Sequence, residues 1–173
     1  MKEIKGDLFD LILDSKSRYD GIAITTNRNY TKDGHACMGG GCAKQCVDLW
    51  PNTSTRLAQC LKNFGTNIPF IIGALDTSGQ YAEPNHKMIK AKKFKALIFS
   101  FPTINDLMQG ADLELIKNSA TEMINMVNRY ELGSVLLGRP GAGIGGLSWA
   151  EVKNVIDKIL DDRFTIVSFP DEL

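Results

Sequence analysis

The sequence predicts a layered α/β protein built on a mixed, largely parallel sheet of about six strands. Three observations carry that expectation. Short runs rich in Val, Ile, Leu and Phe alternate with helical stretches along the whole chain. Two of those strands lead into glycine-dense loops, at 38–41 and 138–146, and each loop opens onto a helix. The stretch 112–130 has the clearest helical period, with Leu113, Ile116, Ala120, Met123, Ile124 and Val127 on one face and Glu114, Lys117, Asn118, Thr121 and Glu122 on the other.

Taken in order, a strand over 2–5 is followed by a short helix over 9–15. The run DGIAITT, 20–26, reads as a buried strand (core 21–25) that leads through Asn27 to MGGG at 38–41. A helix over 42–50 follows, and Pro51 stops it. Next come a helix over 54–64, a strand over 70–75, an irregular basic stretch over 80–95 and a strand over 96–101. The long helix over 112–130 leads to a strand over 134–137, the second glycine loop, a helix over 148–160 and a last strand over 164–169. The helix start at 148 is chemically marked. Ser148 suits the N-cap, Glu151 three residues later completes a capping box, and Leu147 can staple onto Val152.

At 173 residues the chain suits a single domain, 1–173, able to bury roughly two-thirds of its unfolded surface. Lys plus Arg, 20, equals Asp plus Glu, 20, so no global field recruits nucleic acid or a membrane. The start, MKEIKGDLFD, has no apolar h-region, and no run approaches the length of a membrane span. The expectation is a cytoplasmic monomer with no cofactor and no membrane partner.

Four cysteines, Cys37, Cys42, Cys46 and Cys60, read as free thiols. A zinc site from His35, Cys37, Cys42 and Cys46 is disfavoured by spacing: Cys42 and Cys46 share a helix face with Leu49 and Trp50, and Cys60 shares one with Leu57, Leu61 and Phe64. No metal is expected. Cys42, at a helix start, could carry some thiolate character. The basic stretch, with His86, Lys87, Lys90, Lys92, Lys93 and Lys95, could contact nucleic-acid phosphates but reads more simply as a solvated loop or hairpin.

A strand, a loop nearly free of side chains and then a helix N-terminus present backbone N–H groups and a positive dipole end to an anion. The second loop also spells G-x-G-x-x-G through Gly141, Gly143 and Gly146. A dinucleotide-binding half-domain is excluded, because too little chain follows the loop to build one. Two such cradles suggest two phosphates, gripped from both sides at one sheet edge.

These residues carry a resemblance. GDLF near the start, IAITTN, MGGGCAKQ, FSFPT and LLGRPGAGIGGLSWAEV, in that order over nearly the whole chain, resemble a macro domain, the module that binds ADP-ribose. The chain is most similar to the compact bacterial and phage type, allied to DNA-ADP-ribosylation antitoxins and to enzymes that process ADP-ribose-1''-phosphate. The resemblance implies a three-layer α/β/α fold. It also implies that Asp7 accepts a hydrogen bond from the adenine amino group, with Leu8 beside it, and that Asn27 binds the distal ribose hydroxyls. Gly39, Gly40 and Gly41 would let that ribose approach, with Met38, Cys42 and Pro102 as further contacts. Gly141, Ala142, Gly143, Ile144, Gly145, Gly146 and Leu147 would wrap the diphosphate, and Phe169 would cover the adenine face. From the residues alone, Asp7 is also an ordinary turn aspartate, Asn27 a strand cap and Phe169 a core aromatic.

Relatives that cleave ADP-ribose from acidic side chains use a lysine after the central strand and an aspartate in the second glycine loop. This chain has Ile104 and Asn105 after FPT, and Gly145 where that aspartate would fall. The groups left near the distal ribose are Asn27, which could orient a water, and Asp33 and His35, which could move a proton. The expected function is a hydrolase acting on ADP-ribose-1''-phosphate or on an ADP-ribosylated protein or nucleic acid. A reader or sequestering module without turnover is the alternative, and an unrelated nucleotide-binding α/β protein a third.

Overall fold

The computed structural model describes residues 1–170. Seven strands form one sheet: β1 (Lys2–Lys5), β2 (Gly21–Asn27), β3 (Ile71–Leu75), β4 (Tyr81–Ala82), β5 (Ala96–Ile104), β6 (Val135–Gly138) and β7 (Phe164–Ser168), in the order β1-β7-β6-β2-β5-β3-β4. The helices are α1 (Leu8–Leu13), α2 (Gly41–Leu49), α3 (Asn52–Phe64), α4 (His86–Lys90), α5 (Leu113–Arg129) and α6 (Trp149–Ile156). The pairings from β1 through β7, β6 and β2 to β5 are parallel, while β3 and β4 are added antiparallel at the far edge.

Side-chain alternation along the strands explains the three layers. In β2, Ile22 and Ile24 point into one core with Leu57, Leu61 and Trp50 of the α2–α3 region, while Ala23 points into the other. In β5, Ile98 joins the first core, and Leu97, Phe99 and Phe101 join the second, under Ile116, Ala120, Met123 and Val127 of α5. Thus α1, α2 and α3 cover one face of the sheet, and α5 and α6 cover the other. Phe99, Phe101 and Phe164 are fully buried, and each such side chain contributes about 1.5–3 kcal/mol.

The sheet has one strand more than the sequence suggests. Residues 80–95, read as irregular, hold β4 and α4. A two-residue strand is too short to show a period, and β4 is recognisable only by its pairing with Ala74 and Leu75. Gly73 makes room for it: a Cβ there would meet the Tyr81 ring at 2.7 Å. Helix α4 is N-capped by Asn85, whose side chain accepts from the Met88 amide. At the other end of the chain, the capping box of α6 is present, with Ser148 and Glu151 in reciprocal contact. Among the described residues no helix is long and apolar enough to cross a membrane.

Candidate functional site

Strands β2 and β6 are hydrogen-bonded parallel neighbours, so their C-terminal ends open at the same edge of the sheet. The chain leaves β2 for α2 on one face and leaves β6 for α6 on the other. A crevice forms where neighbouring connections diverge in this way, and here it is a cleft of about 600 Å³. Both glycine loops line it. Gly39, Gly40 and Gly41 face Gly141, Gly143 and Gly145, and Ile144 reaches across, its Cδ1 lying where a Cβ on Gly40 would come within 3.1 Å. Helix α2 begins at this point with Gly41 in the left-handed region, φ 56, and its first three residues, Gly41, Cys42 and Ala43, line the cleft, so that a helix N-terminus with its unpaired amides borders it.

The second loop is shaped by close packing. A Cβ on Gly141 would lie 2.6 Å from Ile116 Cδ1, and one on Gly145 would lie 2.6 Å from Ala111 Cβ and 2.8 Å from the Gly141 carbonyl oxygen. Backbone bonds fix the turn: Leu147 N–H donates to Gly141, Gly146 N–H to Gly143 and Ala111 N–H to Gly145. Gly143 is different, with open space where a Cβ would project.

No protein-family model and no curated protein matches the sequence. Solved structures do match. The macrodomain of Mycobacterium tuberculosis DarG is similar at a TM-score of 0.69 and 22% identity, with 99% of this chain and 97% of that chain covered. The macrodomain of Thermus aquaticus DarG is similar at 0.69 and 20%, covering 98% and 97%. Thermosipho africanus DarTG in complex with ADP-ribose is similar at 0.72 and 18%; all of this chain is matched, but it spans only 43% of that one. The fold is that of a macrodomain.

Of the residues singled out in the sequence, Asn27, Met38, Gly39, Gly40, Gly41, Cys42, Gly141, Gly143, Ile144, Gly145 and Phe169 line the cleft. Asn27 sits where β2 meets a bulge: Thr26 pairs with Pro102 and Asn27 with Ile104, so Thr103 is the extra residue. Its side chain is already engaged, donating to the Cys37 carbonyl and accepting from the Asn29 amide, both at 2.9 Å. One Nδ2 hydrogen and one Oδ1 lone pair remain.

Other expected residues lie off the lining. Asp7 is the N-cap of α1, where its Oδ1 accepts from the Phe9 and Asp10 amides at 2.9 Å. Leu8 is buried beneath it. Pro102 is buried in β5, and its carbonyl accepts from Ser119 Oγ at 2.7 Å. Ala142, Gly146 and Leu147 belong to the loop's frame. Asp33 and His35 stand on a small hairpin, closed by the bridge between Tyr30 and Ala36 and turned at Gly34, φ 85. Both are exposed. His35 Nδ1 lies 3.3 Å from Ser54 Oγ, and the Thr31 hydroxyl beside Asp33 holds its carboxyl below the ordinary value.

The cleft also contains residues that the sequence did not assign to the ligand, among them Thr25, Thr26, Cys37, Thr103, Leu107, Gly138, Arg139 and Val167. Thr25 and Thr26 directly precede Asn27 and could have been found by asking what else ends that strand. Thr25 Oγ1 lies 3.0 Å from Cys42 Sγ, whereas Thr26 Oγ1 is buried without a partner. All four cysteines are free, and burial pushes the Cys46 thiol up to about 12.

Proposed function

We propose that this macrodomain binds ADP-ribose or a derivative of it, with the diphosphate held between the two glycine loops. The observation that carries the reading is the meeting of those loops in one cleft, at the divergence of β2 and β6. The size of the cleft is in the range of small-molecule sites, and the similarity to DarTG in complex with ADP-ribose supports the choice of ligand. Asn27, at the end of β2, would address the distal ribose with its remaining donor and acceptor. Phe169 would lie against the adenine.

Among the described lining residues there is no carboxylate, imidazole or lysine. Proton transfer is most often carried by such a group within hydrogen-bond reach of the reacting atom, although a thiol also serves; the Cys37 and Cys42 thiols are the titratable groups left for that task among the described lining residues, so the lining favours a reader that holds the ligand without turnover. The hydrolase reading rests on Asn27 positioning a water beside the distal C1'' atom.

Calorimetric titration with ADP-ribose, ATP and NAD tests the binding function: selective binding of ADP-ribose supports it, and no binding of ADP-ribose removes it. Phosphate release from ADP-ribose-1''-phosphate, run beside ADP-ribosylated DNA and protein, then separates hydrolase from reader. Turnover that survives in both Asn27→Ala and His35→Ala would exclude these residues as the catalytic groups.

A further inference from the structure

Arg139 directly follows β6 and is the one charged side chain among the described residues that line the cleft. It belongs to the second glycine loop, since its carbonyl accepts from the Ala142 amide. Its guanidinium carbon lies 5.2 Å from the centre of the Trp149 ring. The ring's electron-rich face orients the cation but leaves its charge in place. Arg139 Nε is buried and has no hydrogen-bond partner among the described residues. Among the described residues no carboxylate lies within ion-pair distance of it. Glu3, the carboxylate of this region, feels the Arg139 charge from beyond ion-pair distance but makes its hydrogen bonds elsewhere: it accepts from Lys153 Nζ at 2.6 Å and from Trp149 Nε1 at 3.0 Å.

A buried donor with no acceptor among the described residues is unfavourable in the free protein. An anion entering the cleft would supply that acceptor. Guanidinium also presents several N–H groups in a plane, which suits two oxygens of a phosphate. The loop amides that surround it are partial charges and carry no net charge of their own.

We propose that Arg139 is the specificity-determining side chain of the cleft, selecting a diphosphate-bearing ligand over a neutral nucleoside by placing its guanidinium on the phosphate oxygens. This rests on the reading of the cleft as an ADP-ribose site. The glycine loops provide shape, and Arg139 provides the charge that a neutral ligand cannot use.

The test compares wild-type protein with Arg139→Gln and Arg139→Lys, titrated with ADP-ribose, adenosine and inorganic pyrophosphate at two salt concentrations. The Gln variant should bind ADP-ribose and pyrophosphate about 10–100-fold more weakly, as loss of a charge-assisted contact does. Its adenosine binding should stay within about twofold, and the salt dependence of its ADP-ribose binding should flatten. The Lys variant keeps the charge and should recover most of the ADP-ribose affinity. ADP-ribose binding by the Gln variant at wild-type strength overturns the proposal, as does an equal loss for ADP-ribose and adenosine, which signals a damaged cleft. If wild-type protein binds pyrophosphate in an Arg139-dependent way but does not bind ADP-ribose, the ADP-ribose reading fails and the role of Arg139 stands. If it binds neither, both fail.

Discussion

Gly143 and Gly145 are two residues apart in one loop and face different surroundings. A Cβ on Gly145 would collide with backbone, the Gly141 carbonyl oxygen and Cα, which have no rotamer to escape into. Gly145→Ala should therefore destabilise the fold by about 1–3 kcal/mol, the usual scale of overpacking, seen as a lower midpoint in urea. A Cβ on Gly143 would meet nothing within 4 Å, yet the residue lines the cleft. Gly143→Val should leave the urea midpoint unchanged and weaken ADP-ribose binding; unchanged affinity would count against the cradle. The glycine spacing in the sequence located the loop but did not separate these two roles, because only the packing of Ala111, just before α5, and of the folded-back Gly141 backbone distinguishes them. Cys46 gives a third prediction at this scale. Its thiol is buried and pushed up to about 12, so iodoacetamide at pH 8 should leave it unmodified in native protein and label it after unfolding, as read by peptide mass spectrometry.

At the scale of elements, α6 is fixed at its start and tied to the sheet edge. Ser148 accepts from the Glu151 amide, and Glu151 in turn accepts from Ser148. Ser148→Ala should cost about 1 kcal/mol by loss of the cap, measured by thermal melting. Helix α6 is joined to β1 through Glu3, which takes hydrogen bonds from Lys153 and Trp149. The Lys153 bond is the main reason that the Glu3 carboxyl is held below its ordinary value of 4.5. A depressed value in the folded state means stabilisation that is present above pH 4.5 and is lost as the pH falls through the folded value. With both side chains partly exposed, solvent screening keeps the contribution small. Glu3→Gln should thus melt slightly below wild type at pH 7 and together with it in strong acid; a gap that persists in acid would contradict the assignment. The capping box could be read directly from Ser148 and Glu151, three residues apart. The Glu3 link could not, because it joins residues 150 positions apart in the chain.

For the whole molecule, the consequence is that the ligand couples elements that are distant in sequence. ADP-ribose held by both loops would bind the folded protein and not the unfolded chain, raising stability by about 2.7 kcal/mol at a free concentration 100 times the dissociation constant. A domain of this size gains about 2–4 °C per kcal/mol, so the melting temperature should rise by roughly 5–10 °C, and adenosine should give a smaller shift at equal concentration. No shift with ADP-ribose at saturating concentrations would contradict a ligand that spans the two loops.

The sequence by itself determined the α/β class, the positions of the principal strands and helices, the start of α6 and the two glycine loops. Each of these is written in local pattern: hydrophobic period, a capping pair, or residues without side chains. The tertiary structure alone decided that the loops meet, because that depends on β6 being inserted beside β2 and on their connections leaving by opposite faces. It also decided that Asp33 and His35 stand exposed on a small hairpin outside the described lining, while Arg139 belongs to that lining. A residue's neighbours across a sheet are set by strand order, and strand order comes from the packing of the whole chain, not from any one stretch of it.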